Sequence, residues 1–180
     1  MNHIRSIIKF LPLAPVLLWT LLIFHFSSQS HQEQSIQPIL HKWFTKEGML
    51  SVVPELTVHY HHATIRAKEQ PFEFIEFVFR KSSHLFIYAV LAAVSCWAIL
   101  PLKRIFTQLL MVVLYVTLIA CADEWNQMRS VQRTSAIQDV VLDICGGLLG
   151  LIGFLTGLFL FHKIRRGRTL WRGEVRWQRK

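Results

Sequence analysis

Hydrophobic residues in this chain fall into four long blocks separated by charged stretches. The blocks run from Ile7 to Phe26, Ser83 to Leu100, Ile105 to Cys121 and Val140 to Phe161. Each approaches the ~20 residues that carry a helix across ~30 Å of hydrocarbon at 1.5 Å per residue. They predict four transmembrane helices. The third block is the shortest, so its helix must borrow from CADEWNQM, residues 121–128, to finish. The second has an aromatic approach, PFEFIEFVFRKSSH, opened by Pro71, in which Glu73, Glu76 and Arg80 recur on one helical face. That approach reads as an interfacial run-in. Between the first two blocks lies a long loop, residues 27–82. In it, SIQPILHKWF puts Ile36, Ile39, Leu40, Trp43 and Phe44 at helical spacing, which predicts a helix lying on a membrane surface. VPELTVHYHHATIRAKEQ reads as extended or irregular.

Charge then orients the helices. The 180 residues carry a net charge of +9 although 52% are hydrophobic. Arg5 and Lys9 precede or open the first block, Lys103 and Arg104 fill the tight turn after the second, and a basic tail at 163–180 follows the fourth. All three groups fall on one side of a four-helix topology, which the positive-inside rule makes cytoplasmic. Ten of the eleven acidic residues fall on the other side. Anionic lipid headgroups account for a basic tail this close to a helix end, and nucleic acid is not expected as a partner. A cleaved leader is not expected at the first block: the apolar stretch is long, and SSQSHQEQ offers no small-x-small cleavage site. Cys96, Cys121 and Cys145 lack CxxC spacing and read as packing residues. The histidines of HYHH, His59 to His62, have no carboxylate or cysteine placed to complete a metal site, so this loop is read as solvated and no metal is assigned.

With this topology the ionisable residues gather at one height, the outer ends of the helices. The first helix ends in Ser28 and Gln29. The second begins with Lys81, His84 and Tyr88, spaced three and four and therefore on one face. The third ends in Asp123, Glu124 and Gln127, Arg133 lies in the following loop, and the fourth begins with Asp139 and Asp143. Asp139, Asp143, Gly146, Gly150, Gly153 and Gly157 form one stripe on the fourth helix. Glycines at this spacing let helix backbones approach closely in lipid, so the stripe is expected to face the bundle and to carry both aspartates inward. One hydrogen-bonded cluster of Lys81, Glu124, Arg133, Asp139 and Asp143 is expected, with His84 and Gln127 beside it. Such a cluster could merely lock helices together. Ionisable groups within a membrane mark a functional site by default, and this one holds more of them than packing requires.

These residues resemble the VanZ-like family. The resemblance rests on SSQ after the first helix, RKSSHLFIYAVL in the second and DEWNQMRSVQRTSAIQDVVLDICGGLLG across the third and fourth. The family pattern falls here on Lys81, His84 and Tyr88, then Asp123, Glu124, Gln127, Arg133, Asp139 and Asp143, then Gly146 and Gly150. Leu85 replaces its usual aromatic, Asn126 a frequent histidine, and Val131-Gln132 a frequent Pro-Gly. The resemblance implies a multi-pass protein of the bacterial inner membrane with a cell-envelope role, and a link to glycopeptide (teicoplanin) resistance. It supplies no reaction and no cofactor.

The expected fold is thus all-α: a four-helix transmembrane domain over residues 1–162, interfacial helical segments in its outer loop, and a basic cytoplasmic tail at 163–180. Two readings of the outer site stay open. In one, Glu124, Asp139, Asp143 and His84 are the catalytic candidates of an enzyme, the three acids transferring protons or binding a metal, while Lys81, Tyr88, Gln127, Arg133, Ser28 and Gln29 bind the substrate. In the other, the same residues hold a membrane lipid, a lipid-linked envelope precursor or a lipophilic glycopeptide without catalysis. A third places the chain as a scaffold or regulator that engages other envelope proteins through its loop and tail.

Overall fold

The computed structural model describes residues 11–30, 32–60, 63–99, 104–128 and 136–177, with side chains to residue 165. A short 3-10 turn at Leu11–Leu13 leads into α1 (Ala14–Ser27). The long loop contains α2 (Gln37–Trp43), α3 (Lys46–Val52) and a hairpin of β1 (Thr57–Tyr60) and β2 (Ala63–Arg66). Three long helices follow: α4 (Pro71–Ala98), α5 (Ile105–Gln127) and α6 (Ile137–Trp177). By length and composition α4, α5 and the Ile137–Arg165 part of α6 can each cross a membrane, while α1 with its leading turn is a shorter apolar helix.

Local chemistry sets the boundaries. Proline sits in the first turn of α1, α2 and α4, where its missing N–H removes no helical hydrogen bond. Thr45 caps α3 by accepting from the Gly48 N–H at 3.2 Å. The third apolar block completes its helix as its length demands: α5 runs past Cys121 to Gln127. α6 continues from the fourth block into the basic tail without a break.

The expectation of an all-α chain needs one correction. VPELTVHYHHATIRAKEQ is extended, and it closes into an antiparallel pair with Val58 opposite Ile65 and Tyr60 opposite Ala63. Alternation explains this: Val58 and Ile65 share one face and pack on a small core of Val53, Ala67 and Phe74. The hairpin is thereby anchored to α3 and the start of α4. His61 and His62 lie outside the described residues.

The main core joins α1, α4, α5 and α6 through Ile23, Tyr88, Leu91, Ala92, Cys96, Val112, Val116, Ala120 and Leu151. Two polar links cross between helices within it. The Trp19 indole donates to the Ile87 carbonyl at 2.9 Å, and the hydroxyls of Thr20 and Tyr115 lie 2.8 Å apart. The outward faces are apolar, with Leu17, Leu21, Phe106, Leu114, Leu118, Ile152 and Phe159 all exposed. An aqueous surface does not carry such continuous apolar area, whereas lipid accepts it. Cys96 is buried in the core, but Cys121 and Cys145 are exposed on these outward faces and are not packing residues.

The glycine stripe behaves as expected over half its length. A Cβ on Gly146 would lie 2.5 Å from the Leu85 carbonyl oxygen, and one on Gly150 would collide with the Ala89 backbone. Gly147 does the same toward α5, where Val116 Cγ1 would be 2.7 Å away. α6 is therefore wedged between α4 and α5 by three glycines. Gly153 and Gly157 are exposed, and a Cβ at either meets nothing within 4 Å among the described residues. The lower half of the stripe does not pack inward.

Candidate functional site

α4 and α6 run side by side in the same direction, with Leu85 against Gly146 and Ala89 against Gly150. This register fixes which polar groups meet one turn above. Lys81 forms an ion pair with Asp139 Oδ1, and His84 Nδ1 lies 3.1 Å from Asp143 Oδ1. Asp143 is 1% exposed. The close glycine contact forces both aspartates of α6 toward α4, as the stripe predicts.

Asp139 has a second partner. The Tyr60 hydroxyl, delivered by β1, donates to Asp139 Oδ1 at 2.5 Å. Lys81 Nζ also stands 4.1 Å from the centre of the Tyr60 ring and 5.5 Å from that of Phe77. Burial, followed by this hydrogen bond and the Asp139 charge, pushes the Tyr60 phenol well above its usual pKa. It therefore stays protonated and remains a donor. The hairpin read as a solvated loop is thus tied into the site through Tyr60, while His59 is exposed.

The end of α5 supplies two neighbouring acids that point different ways, because adjacent helical residues lie about 100° apart. Asp123, 2% exposed, accepts from Gln127 Nε2 through Oδ2 at 3.1 Å. Glu124 turns toward the start of α6 and accepts from the Ala136 N–H through Oε1 at 2.6 Å. Asp123 Oδ1, Glu124 Oε2 and the Tyr88 hydroxyl are buried without a hydrogen-bond partner among the described residues. Asn126 joins α5 to α1, donating to the Ser27 and Ser28 hydroxyls at 3.2 and 3.0 Å.

A cavity of about 380 Å³ opens beside these groups, between α1, α4 and α5. Its lining includes apolar side chains, among them Ile23, Phe26, Phe79 and Ile87, and polar ones, among them Gln29, Glu76, Arg80, His84, Asp123 and Gln127. Arg80 pairs with Glu76 at 3.3 Å at its rim. Tyr88 also lines it.

The expected single cluster is resolved into separate contacts: Lys81 and Tyr60 on Asp139, His84 on Asp143, Gln127 on Asp123, and Glu124 on the Ala136 backbone. Of the residues singled out, Gln29, His84, Tyr88 and Gln127 line the cavity. Lys81 and Asp139 are engaged with each other, Ser28 bonds Asn126 and the Phe24 carbonyl, and Arg133 lies outside the described residues. Asp123 and Tyr60 were not assigned roles by sequence. The four-residue spacing of Asp123 and Gln127 is the signal that could have marked Asp123. Nothing local marks Tyr60, because its partner is 79 residues away.

Chemically, the arrangement offers a histidine paired with one buried carboxylate and close to a second, beside a cavity of mixed lining. It can receive a proton, bind a cationic or metal group, or accept hydrogen bonds from a polar head. The family model described as VanZ/LLP1 matches residues 12–161. No curated protein and no solved structure matches the chain.

Proposed function

Because the chain belongs to the VanZ/LLP1 family, we propose that this membrane protein holds the polar head of an envelope amphiphile in the cavity at its polar end. The ligand class is a membrane lipid, a lipid-linked wall precursor or a glycopeptide-type amphiphile. In this reading α1 is the fourth membrane helix, the polar end faces outward from the bacterial inner membrane, and both termini are cytoplasmic. The basic residues at 163–180 and at Lys103 and Arg104 support that orientation.

The observation that carries the reading is the mixed lining of the cavity, which holds both apolar and polar side chains. Ile23, Phe26, Phe79 and Ile87 suit an acyl or prenyl segment, while Arg80, His84, Asp123 and Gln127 suit a head with both anionic and hydrogen-bonding groups. A volume of about 380 Å³ is enough for a head group and the first few carbons of a tail, not a whole lipid.

The test uses full-length protein in nanodiscs, titrated with a lipid-linked wall precursor and followed by mass spectrometry. Stoichiometric binding is expected, weakened at least tenfold by Gln127→Ala and by Ile87→Trp, which adds bulk to the apolar lining. Binding that is absent in the wild type, or unchanged in both variants, ends the reading. A ligand of altered mass identifies an enzyme; an unaltered one identifies a binding protein.

A further inference from the structure

Three helices each send one metal-binding side chain to the same point. His84 comes from α4, Asp123 from α5 and Asp143 from α6. One donor atom from each lies within 4.8 Å of the other two. In a tetrahedral site with bonds of ~2.0–2.1 Å, donors stand roughly 3.3 Å apart. His84 Nδ1 and Asp143 Oδ1 are already 3.1 Å apart, so small side-chain movements would bring the trio to this spacing.

The state of Asp123 points the same way. Gln127 holds Oδ2, which orients the carboxylate, and Oδ1 is buried without a partner among the described residues. A carboxylate oxygen withdrawn from water and given no hydrogen bond is costly to maintain. The Tyr88 hydroxyl stands beside the same carboxylate, also without a bond of ordinary geometry. Two carboxylates this buried and this near one another repel, and His84 offsets at most one charge.

We infer that His84, Asp123 and Asp143 together bind a divalent transition cation beside the cavity that His84 and Asp123 line. One imidazole nitrogen with two carboxylate oxygens suits Zn²⁺ or Mn²⁺ better than Mg²⁺ or Ca²⁺, which favour oxygen alone. Three protein donors leave room for a further ligand, and His84 and Asp123 present that room to the cavity. Gln127 on Asp123 is the outer-shell partner that would hold the ligand oxygen in place. The inference stands on the donor geometry and does not require the cavity to hold an amphiphile. If both are right, the cation is the group that would meet a phosphate or carboxylate head.

The probe is Co²⁺ alone, added to full-length, metal-free protein in detergent. His59, His61 and His62 are first replaced by Gln, so that the hairpin histidines cannot supply a competing site. One equivalent is expected to bind with visible d–d absorption, and the His84 imidazole resonance is expected to shift paramagnetically, a readout that needs no further variant. His84→Gln and Asp123→Asn should each weaken binding at least tenfold. Excess Co²⁺ should raise the unfolding temperature of the unsubstituted site and leave that of both variants unchanged. Absence of one-to-one binding, an unshifted His84 resonance, or equal affinity in the folded variants would overturn the assignment and reduce the trio to a His84–Asp143 ion pair.

Discussion

The two ends of the helical bundle are built on different principles. At the polar end Ser27, Glu76, Asp123, Glu124, Gln127 and Asp143 are buried, and α6 touches the backbone of α4 directly. At the opposite end the buried polar side chains among the described residues are Ser95 and Gln108, and Gln108 donates to the Ile99 carbonyl at 2.8 Å. There Gly157 lies almost in line with Gly150, seven residues and about 20° away, yet faces open space. The lesson is that close contact and buried charge occur together. Backbone contact at Gly146 and Gly150 is what brings Asp143 against His84, and where the contact ends, buried charge among the described residues ends as well.

This contrast can be broken at its strongest point. Gly150→Leu should prevent stable insertion or folding, because the side chain would occupy the position of the Ala89 backbone. Gly157→Leu, on the same face, should accumulate like the wild type, and stability in detergent should change by no more than about 0.5 kcal/mol. Equal damage at both positions would mean that the lower half of the stripe is packed after all. Phe154 is a poorer control than its place off the stripe suggests, since it packs against the main core.

A smaller effect tests the charges. Lys81→Met leaves Asp139 mostly buried, with Tyr60 as its remaining side-chain partner among the described residues, and should cost about 2 kcal/mol, less than the loss of a partner from a fully buried pair. Adding Asp139→Leu should recover most of that loss, because it removes the uncompensated charge. Failure to recover would assign Lys81 a role beyond neutralising Asp139. Chemical denaturation of the two variants in detergent measures both.

The smallest effect concerns the hairpin. Tyr60→Phe keeps the ring against Phe77 and Lys81 and removes one hydrogen bond to a carboxylate, for an expected loss of about 1 kcal/mol. The pH dependence follows from the upward shift of the phenol. A raised folded pKa gives stability that is complete below the unfolded value, about 10, and lost only as pH climbs toward the higher folded value. Docking of the hairpin, read by proteolysis between β1 and β2, should therefore be constant from pH 7 to pH 9.

Much of this design is legible in the sequence. The four apolar blocks, the completion of α5 through Gln127 and the inward turn of Asp139 and Asp143 all follow from length, periodicity and glycine spacing. The phase of α5 does not. Whether Asp123 or Glu124 faces the cavity depends on the rotation of a helix whose two sides are both apolar, and packing of Val112, Val116 and Ala120 on the core decides it. The role of Tyr60 is equally hidden, because it depends on a hairpin folding back over a helix that begins 77 residues later. The stripe shows the opposite failure: its spacing is continuous, but the contact it encodes stops where the neighbouring surfaces part.

Phe26 and Phe79 line the cavity with exposed rings, and under the proposed function this changes the unit in which affinity should be counted. On that reading a ligand passing these rings comes from within the bilayer, where it is confined to a thin sheet and already oriented. Occupancy then follows its mole fraction among the surrounding lipids, not its concentration in water. A site that looks weak when measured against bulk solution can be filled in a membrane containing a few such molecules per hundred lipids, and diluting the bilayer with inert lipid would empty it at constant total ligand.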